Sequence, residues 1–282
     1  MAADITAIIL TKNEEINIVD CIKSIITTVK RIIVIDSFSS DKTVELAIEC
    51  GAEVIQHPFI THAKQFKYAV QTGDIQTQWI LRIDADERLT PESAFELERL
   101  CNENMNTDVT GIVVRFKKNF LGKDLYHGGV YPWKKLICYK KGKGDIENRE
   151  MDEHIVVFEG KVIEMCNDSL HFDFKGIESW INKHNWYSTK EMNDYIANHK
   201  NVMHEKQNLK TWIKMNIYYR LPLGMRAHIY YLFRYYMQLG FLDGREGKIY
   251  AFLQAYWYRY LVDIKIYESE KLGTKSGNVN NL

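Results

Sequence analysis

The first hundred residues alternate short apolar runs with amphipathic segments, and this alternation restricts the fold more than any other feature of the chain. Ile5–Leu10, Arg31–Ile35 and Trp79–Ile83 are rich in branched aliphatic residues and short, so they are predicted strands. Glu14–Thr28 carries apolar residues at helical spacing, and Pro91 opens another predicted helix. Apolar strands that alternate with helices are typical of a mostly parallel sheet with helices on both faces. The sequence therefore predicts an α/β fold.

The alternation weakens beyond residue 105, where shorter strands are predicted at Val109–Phe116, Leu136–Tyr139 and His154–Phe158. From Gly176 to about Tyr267 the pattern is largely helical. We therefore expect an α/β domain over residues 1–175, a helical region over 176–270 and a flexible tail over 271–282.

Charge is balanced over the whole chain but unevenly distributed along it. The 37 Lys+Arg and 37 Asp+Glu residues give no whole-chain electrostatic argument for binding nucleic acid. Residues 175–275 hold 16 basic and 9 acidic side chains, a net charge of +7 (16 − 9), and 15 of the 35 aromatic residues lie between Trp212 and Tyr260. Such a region suits contact with an anionic membrane surface, packing into a helical core or homo-oligomerisation, and the sequence leaves these open.

The sequence has no feature of a membrane-spanning or secreted chain. No uncharged apolar run approaches 18 residues, and the start MAADITAIIL lacks the basic segment and cleavage site of a secretory signal. The five cysteines are odd in number and widely spaced, which favours isolated core thiols in a reducing compartment over disulfides or a zinc site. We expect a cytoplasmic protein that works at the inner face of the membrane if its helical region contacts lipid.

Three predicted strands end in polar residues. Ligands of open α/β sheets bind outside the carboxyl ends of the strands, so these residues are expected to meet in one crevice. Asp84 and Asp86, separated by one residue after a buried strand, are a candidate site for a hard divalent cation such as Mg²⁺ or Mn²⁺. Any one of these acidic residues, taken alone, could equally be a helix cap or part of a solvated turn rather than part of a binding site. The three strand ends are Thr11-Lys12-Asn13-Glu14, Asp36-Ser37 and Asp84-Ala85-Asp86-Glu87.

The segments AIILTKNEEINIVDCIKSI, RIIVIDSFSSDKTVELA, GAEVI and WILRIDADERLTPE resemble the nucleotide-sugar domain of inverting family 2 glycosyltransferases, which have the GT-A fold. The resemblance is strongest to bacterial β-1,4-glucosyltransferase-like enzymes of lipopolysaccharide-core and capsule assembly. It continues through FLGKDLYHGGVYPWKKLICYKKG, MDEHIVVFEG, SLHFDF and GFLDGREGKIYAFLQAYWYRYLVDIK, and so covers most of the chain. These motifs are specific for the superfamily and poorly specific for the sugar.

The resemblance implies a donor site and a metal site. Asp86 would be the main metal ligand, and His171 would be a further ligand or an ordinary core histidine. Many relatives carry Asn where this chain has Lys67, so a donor contact at that position is in doubt. The implied donor-binding residues are Thr11, Asn13, Glu14 near the ribose, Asp36 at the base, Lys64 near the diphosphate, and Asp84 at the ribose or the metal.

The resemblance also implies a base and an acceptor side. An inverting transfer needs a general base for the acceptor hydroxyl, and the adjacent Asp152 and Glu153 match the position of that base. The sequence does not decide which of the two is the base, although we slightly prefer Glu153. From spacing alone, an ordinary surface turn before the next strand would be the favoured interpretation of this pair. His127 and Trp133, in a glycine-rich stretch, match a segment near the acceptor, where Trp offers a stacking face for a sugar.

These implied roles predict a metal-dependent inverting glycosyltransferase. Its donor would be a UDP-sugar, with glucose as the first guess, and its acceptor a hydroxyl of a surface glycan that is lipid-linked or soluble. A sugar nucleotidyltransferase is the first alternative, but TKNEEIN stands where such enzymes carry a glycine-rich phosphate loop. A catalytically silent scaffold subunit with the same fold is the second alternative.

Overall fold

The computed structural model describes residues 2–147, 153–173, 175–200 and 221–272. The chain divides into two compact units. The first comprises Met1–Asn119 and Pro132–Asp173, and the second comprises Phe120–Tyr131 and Phe174–Leu282. The segment 120–131, expected in the α/β domain, is thus grouped with the C-terminal helices.

The first unit consists of strands and helices in alternation, followed by further strands. Its helices are α1 (Ile18–Ile25), α2 (Thr43–Glu49), α3 (His62–Thr72) and α4 (Pro91–Glu103). Its strands are β1 (Ala3–Thr11), β2 (Val29–Asp36), β3 (Glu53–Gln56), β4 (Trp79–Asp84), β5 (Glu87–Arg88), β6 (Val109–Phe120), β8 (Trp133–Lys140), β9 (Gly144–Ile146), β10 (Ile155–Val157) and β11 (Lys161–His171), while β7 (Lys123–Leu125) lies in the second unit.

The main sheet has the strand order β3–β2–β1–β4–β8–β6–β11–β5. The first four strands are parallel, β8 is antiparallel to both β4 and β6, and β6 and β11 are again parallel. Strands β9 and β10 form a separate antiparallel pair. The predicted α/β fold with a mostly parallel sheet is confirmed.

The sheet has an apolar core on each face, which explains the near-continuous apolar character of β1. Ile5 and Ile9 face a cluster that includes Ile22 of α1 and Leu97 of α4, whereas Ile8 faces the cluster of α3. Because β1 is buried on both faces, an alternating polar pattern would place polar groups in a core. Helix α4 begins as predicted, with Thr90 Oγ1 accepting a 3.2 Å hydrogen bond from the Ser93 amide and Pro91 in the first turn.

The described parts of the second unit beyond residue 176 are largely helical, as predicted. Its helices are α5 (Ile177–Lys200), α6 (Met225–Leu232), α7 (Gly244–Ala251) and α8 (Tyr258–Leu272), and π-helical turns at Phe233–Met237 and Phe252–Trp257 continue α6 and α7. Among the described residues, no helix is long and apolar enough to cross a membrane. Residues 201–220 and 273–282, which include part of the basic aromatic segment and most of the predicted tail, lie outside the described residues.

All five cysteines are free thiols. Cys21, Cys101 and Cys138 are buried, whereas Cys166 is exposed. Cys101 and Cys138 are neighbours in the core, with their sulfur atoms 3.8 Å apart. The prediction of isolated core thiols is therefore wrong for Cys101 and Cys138, which neighbour each other, and for Cys166, which is exposed.

Candidate functional site

The polar ends of β1, β2 and β4 meet at one edge of the sheet. In the parallel register, Thr11 pairs with Asp36 and Leu10 pairs with Asp84. Asp36 also pairs with Gln56 at the end of β3. Four neighbouring strands therefore end at the same level, which is the position of ligand crevices in open α/β sheets.

Asp36 is fully buried at this edge and accepts several hydrogen bonds. Its Oδ1 lies 3.1 Å from Thr11 Oγ1, and its Oδ2 accepts a 2.8 Å bond from the Ser39 amide and a 3.4 Å bond from Gln56 Nε2. A buried carboxylate needs such donors because it has lost its water. Thr11 and Asp36, both predicted to line the donor pocket, are thus in direct contact.

The loops that follow β1 and β2 are joined by hydrogen bonds. Asn13, in the left-handed region at φ 54°, donates its amide to Ser39 Oγ at 2.8 Å and accepts at Oδ1 from the Ser40 amide at 2.9 Å. The Glu14 amide donates to Thr43 Oγ1 at 2.7 Å. Asn13 and Glu14 therefore lie beside Thr11 and Asp36, as their predicted role in the donor pocket requires.

Two lysines of α3 differ in their surroundings. Lys64 is exposed in the first turn, where its amide donates to Oγ1 of the N-cap Thr61 at 3.2 Å. Lys67, which stands where many relatives carry Asn, forms a 3.0 Å ion pair with Asp145 of β9. Lys67 therefore has a partner within its own unit.

Asp84, Asp86 and Glu87 form an acidic cluster at the end of β4, and Lys135 of β8 pairs with Asp84 and Glu87. Lys135 Nζ lies 2.9 Å from Asp84 Oδ2 and forms a second ion pair with Glu87 Oε1. The two strands are antiparallel neighbours whose pairing runs from Trp79–Lys140 to Leu81–Cys138, and Asp84 and Lys135 follow this paired stretch. Glu87 is fully buried and also accepts a 3.1 Å hydrogen bond from the Asp84 amide.

The environment shifts the pKa values of these groups in opposite directions. Burial alone would raise the pKa of Asp84, but the charges of Lys135 and Arg82 outweigh it and hold that pKa well below its usual range. Burial raises the pKa of Glu87 to about 7, with Lys135 opposing the rise and Asp84 adding to it. Burial would lower the pKa of Lys135, but Asp84 and Glu87 outweigh it and raise that pKa. Asp84 is therefore the charged partner of Lys135.

Asp86 lies beside His171 at the end of β11. His171 pairs with Glu87 across β11 and β5, and its Nε2 is 3.7 Å from Asp86 Oδ2. Its Nδ1 is 3.8 Å from Asp173 Oδ1, which is too long for a hydrogen bond, and has no hydrogen-bond partner among the described residues. Burial lowers the pKa of His171 to about 4, against the influence of Asp86, so the imidazole is neutral at pH 7.

The residues at this edge fit a divalent cation in part. A carboxylate and a neutral imidazole are ordinary metal ligands, and the ring nitrogen that faces Asp86 is Nε2, 3.7 Å from its Oδ2. Asp84, the third predicted ligand, is engaged with Lys135 instead. Among the described residues, no group of three or more His, Cys, Asp or Glu side chains is arranged to hold a metal ion. A cation here would complete its coordination with water or substrate oxygens.

Glu153, one of the two candidate bases, is connected to the acidic cluster through Arg82. Arg82 Nη1 donates to the Glu153 carbonyl at 3.1 Å, and its Nη2 lies 3.8 Å from Asp84 Oδ1. Glu153 Oε1 is shielded from solvent and has no hydrogen-bond partner in the described part of the chain. Asp152, the other candidate, lies outside the described residues.

The two residues predicted for the acceptor side belong to different units. Trp133, in the first unit, packs edge-on against His171 with ring centroids 4.7 Å apart, and Lys135 Nζ lies 4.9 Å from its ring centre. Its side chain is 38% exposed, so one part of the ring is open to a ligand. Trp133 therefore borders the Asp86–His171 pair.

His127, in the second unit, is held by Asp243. Its Nδ1 lies 2.7 Å from Asp243 Oδ1, and Asp243 Oδ2 accepts the amides of Tyr126 and His127 at 3.0 and 2.8 Å. His127 and Asp243 line a pocket with Arg234 and Gln254. The positive φ of Gly128, 69°, allows the chain to turn here without strain.

Sequence reasoning missed three residues of these arrangements: Arg82, Lys135 and Asp243. A signal existed for the first two, because the three carboxylates Asp84, Asp86 and Glu87 behind a buried strand require a nearby cation. No signal in the sequence pairs Asp243 with His127.

Comparison with known proteins agrees with the resemblance in the sequence. The model of the family described as "Glycosyl transferase family 2" matches residues 6–158, more than half of the chain. This range contains Thr11, Asp36, Asp84, Asp86 and Glu153.

Curated relatives come from several Rickettsia species and are named uncharacterized glycosyltransferases. The protein of Rickettsia felis is 28% identical over 214 residues, covering 70% of this chain and 72% of its own length. That of Rickettsia bellii is 29% identical over 206 residues, covering 70% of this chain and 69% of its own.

Solved structures that match part of this chain include two synthases. Glucosyl-3-phosphoglycerate synthase from Mycobacterium tuberculosis, in complex with Mn²⁺, UDP and glucosyl-3-phosphoglycerate, is 22% identical with a TM-score of 0.33, over 42% of this chain and 44% of its own. Mannosyl-3-phosphoglycerate synthase from Rubrobacter xylanophilus is 19% identical with a TM-score of 0.35, over 41% of each chain. This chain thus spans less than half of each of these structures.

Proposed function

The chain belongs to glycosyl transferase family 2, and from this membership we propose that it transfers a sugar from UDP to a hydroxyl group of a glycan acceptor with inversion at the anomeric carbon. The observation that carries the proposal is the meeting of Thr11, Asp36 and Asp84 at neighbouring strand ends. These are the residues at which a nucleotide-sugar is expected to bind in an α/β sheet of this kind.

In this proposal the two hydrogen-bonded loops hold the nucleoside. The buried carboxylate of Asp36 accepts a hydrogen bond from the base, and Glu14 lies near the ribose. Lys64, exposed at the first turn of α3, faces solvent and offers a cation to the diphosphate. The supporting evidence is the fixed geometry of Asp36, which already accepts bonds from Thr11 and Ser39.

Asp86 and His171 would hold a divalent cation, Mn²⁺ or Mg²⁺, next to the diphosphate. Such a cation, when bound, neutralises charge that develops on a departing diphosphate. Asp86 contributes its carboxylate, and His171 contributes the neutral imidazole that its lowered pKa provides.

The acceptor step needs a base, and we assign this role to Glu153, with Asp152 as its neighbour. The acceptor oxygen forms the new bond to the anomeric carbon while the bond from that carbon to the diphosphate oxygen breaks, and the hydroxyl proton passes to Glu153. A carboxylate oxygen that is shielded and without a hydrogen-bond donor, as Glu153 Oε1 is among the described residues, is suited to accept a proton. Trp133 would stack on a sugar ring beside this site.

The finer parts of the proposal are the sugar, the acceptor and the location. We propose glucose as the sugar and a hydroxyl of a surface glycan, in lipopolysaccharide core or capsule, as the acceptor, with the protein at the inner face of the cytoplasmic membrane. Exposed apolar side chains on α6 and its continuation support peripheral membrane contact. They are Met225, Ile229, Leu232, Phe233 and Met237, each 45–75% exposed.

Thermal unfolding with a panel of nucleoside diphosphates, with and without Mn²⁺, tests the donor site. A ligand present at about 100 times its Kd raises the free energy of unfolding by about 2.7 kcal/mol, so UDP with Mn²⁺ is expected to raise the Tm by several degrees. Asp86→Asn should lose the increase that depends on Mn²⁺. Asp108→Asn is the matched control, because Asp108 is an exposed carboxylate that forms a 2.9 Å ion pair with Lys161 at the start of β11.

The outcomes separate the alternatives. A shift with another nucleotide would keep the fold and change the donor. Absence of a shift with every nucleotide, in a folded sample, would contradict the proposed enzyme and favour a catalytically silent scaffold. Release of UDP from UDP-glucose, followed with candidate acceptors, then identifies the sugar and the acceptor, and co-sedimentation with anionic vesicles tests the membrane contact.

A further inference from the structure

We propose that Lys135 is a positioning residue of the donor site: by pairing with Asp84 and Glu87 it withdraws both carboxylates from cation binding and leaves Asp86, with His171, to meet a divalent metal. This inference rests on the proposed donor site and specifies how its acidic cluster is divided. In this inference Asp84 is the ion-pair partner of Lys135 and not a ligand of the metal.

Every carboxylate oxygen of Asp84 and Glu87 already faces a partner. Asp84 Oδ2 is 2.9 Å from Lys135 Nζ, and Asp84 Oδ1 is 3.8 Å from Arg82 Nη2. Glu87 Oε1 pairs with Lys135, and Glu87 Oε2 accepts the Asp84 amide at 3.1 Å. A metal ion at either carboxylate would have to displace one of these groups.

Asp86 has a different environment. In the part of the chain that the structure describes, it forms no ion pair with a lysine or arginine, and its Oδ2 lies 3.7 Å from His171 Nε2. His171 is 6% exposed, and its Nδ1 has no hydrogen-bond partner among the described residues. The nitrogen that faces Asp86 is Nε2, and at 3.7 Å it forms no hydrogen bond with that carboxylate, so a divalent cation bound between the two groups would join them.

The position of Lys135 is fixed by its strand and by two aromatic rings. Its side chain is 16% exposed, and its Nζ lies 4.9 Å from the centre of Trp133 and 5.7 Å from that of Phe116. Lys135 also lies opposite Val114 in the antiparallel pair of β8 and β6. The ammonium group is therefore held in place by packing, as a permanent counter-charge should be.

The test is Mn²⁺ binding to the full chain, measured by electron paramagnetic resonance of free Mn²⁺, with and without saturating UDP. Lys135→Gln frees two carboxylates, and we expect it to tighten Mn²⁺ binding without UDP by about tenfold or more, since an uncompensated charge at 3–4 Å interacts strongly with a cation. Asp84→Asn should change the Mn²⁺ affinity of the wild-type chain by less than about threefold, whereas Asp86→Asn should weaken it by more than about tenfold.

Lys134→Gln is the matched control, because Lys134 is the neighbouring lysine, is 47% exposed and pairs with Glu164 at 2.8 Å. It should leave Mn²⁺ affinity unchanged. Where Lys135→Gln fails to fold, the double variant Lys135→Gln/Glu87→Gln removes one charge of each sign and still frees Asp84, so it should also tighten Mn²⁺ binding.

The inference is overturned if folded Lys135→Gln and the double variant both bind Mn²⁺ as the wild type does, or if Asp84→Asn and Asp86→Asn weaken binding equally. Failure of the proposed function looks different. In that case the wild type binds no Mn²⁺ even with UDP, while tighter binding by the Lys135 variants would still support the division of the cluster.

Discussion

His127 Nδ1 lies 2.7 Å from Oδ1 of Asp243, a residue 116 positions further along the chain. Asp243 is nearly fully buried, and its other oxygen accepts the amides of Tyr126 and His127. The carboxylate therefore fixes both the backbone turn and the ring of His127. The other ring nitrogen, Nε2, lies on the side of the ring away from Asp243.

Asp243→Asn is expected to lower the free energy of unfolding by about 2–3 kcal/mol, because hydrogen bonds to a charged, buried acceptor are worth about 1.5–3 kcal/mol and an amide provides only one acceptor oxygen. Urea denaturation followed by circular dichroism measures the loss. Glu246→Gln is the control, since Glu246 lies three residues away in a 3.6 Å surface ion pair with Lys123, and it should cost less than about 0.5 kcal/mol.

His171 is expected to make the metal-free protein less stable as pH falls from 6.5 to about 4. Burial lowers the pKa of His171 from 6.5 to about 4, so between these values the unfolded chain binds a proton that the folded chain does not. The advantage of the wild type over His171→Asn should shrink by about 3 kcal/mol across this range. Urea denaturation in EDTA at several pH values tests this, with the exposed His154→Asn as control. An advantage independent of pH would contradict the assigned burial of the neutral ring.

Glu87 is expected to act in the opposite direction. Burial raises its pKa from 4.5 to about 7, so between these values the folded chain holds a proton that the unfolded chain has released. The stability of the wild type relative to Glu87→Gln should therefore fall by about 3 kcal/mol as pH rises from 4.5 to 7, and then level off. The same denaturation series measures it, and Glu164→Gln, at a surface ion pair, should show no such trend. A constant difference between pH 4.5 and 7 would show that Lys135 keeps Glu87 ionised throughout.

The buried ion pair of the second unit should be costly to break from one side. Arg226 and Asp263 are 1% and 3% exposed, and Asp263 Oδ2 also accepts the Gly224 amide at 2.7 Å. Arg226→Met leaves an uncompensated buried carboxylate and is expected to lower the free energy of unfolding by about 3–5 kcal/mol. Arg245→Met, at an exposed arginine, should change it by less than about 0.5 kcal/mol. Equal small losses in both variants would mean that water reaches Asp263.

The sheet and the meeting of its polar strand ends at one edge were predictable because their signals are local. The apolar run before Thr11 is buried on both faces, and Asp36 and Asp84 each close a run of the same kind. Parallel strands align their carboxyl ends, so a change from apolar to polar residues marks the crevice without knowledge of the strand order.

The division of the acidic cluster was not predictable, since it depends on pairing between distant segments. Lys135 lies 51 residues from Asp84 along the chain, and the two residues contact each other because β8 and β4 are neighbouring strands. Strand β11, which carries His171, was missed because KVIEMCNDSLH mixes polar and apolar residues without regular alternation. Its register next to β5 then places the imidazole by Asp86.

The hydrogen bonds between the loops after β1 and β2 have a consequence for the kinetics of nucleotide capture. Asn13 and Glu14 are tied to Ser39 and Thr43 before any ligand arrives, so the conformational entropy of these loops is lost when the chain folds rather than when it binds. A nucleotide would then bind to loops that are already ordered. The observed rate constant of association should rise linearly with nucleotide concentration, without the plateau that a slow loop rearrangement imposes.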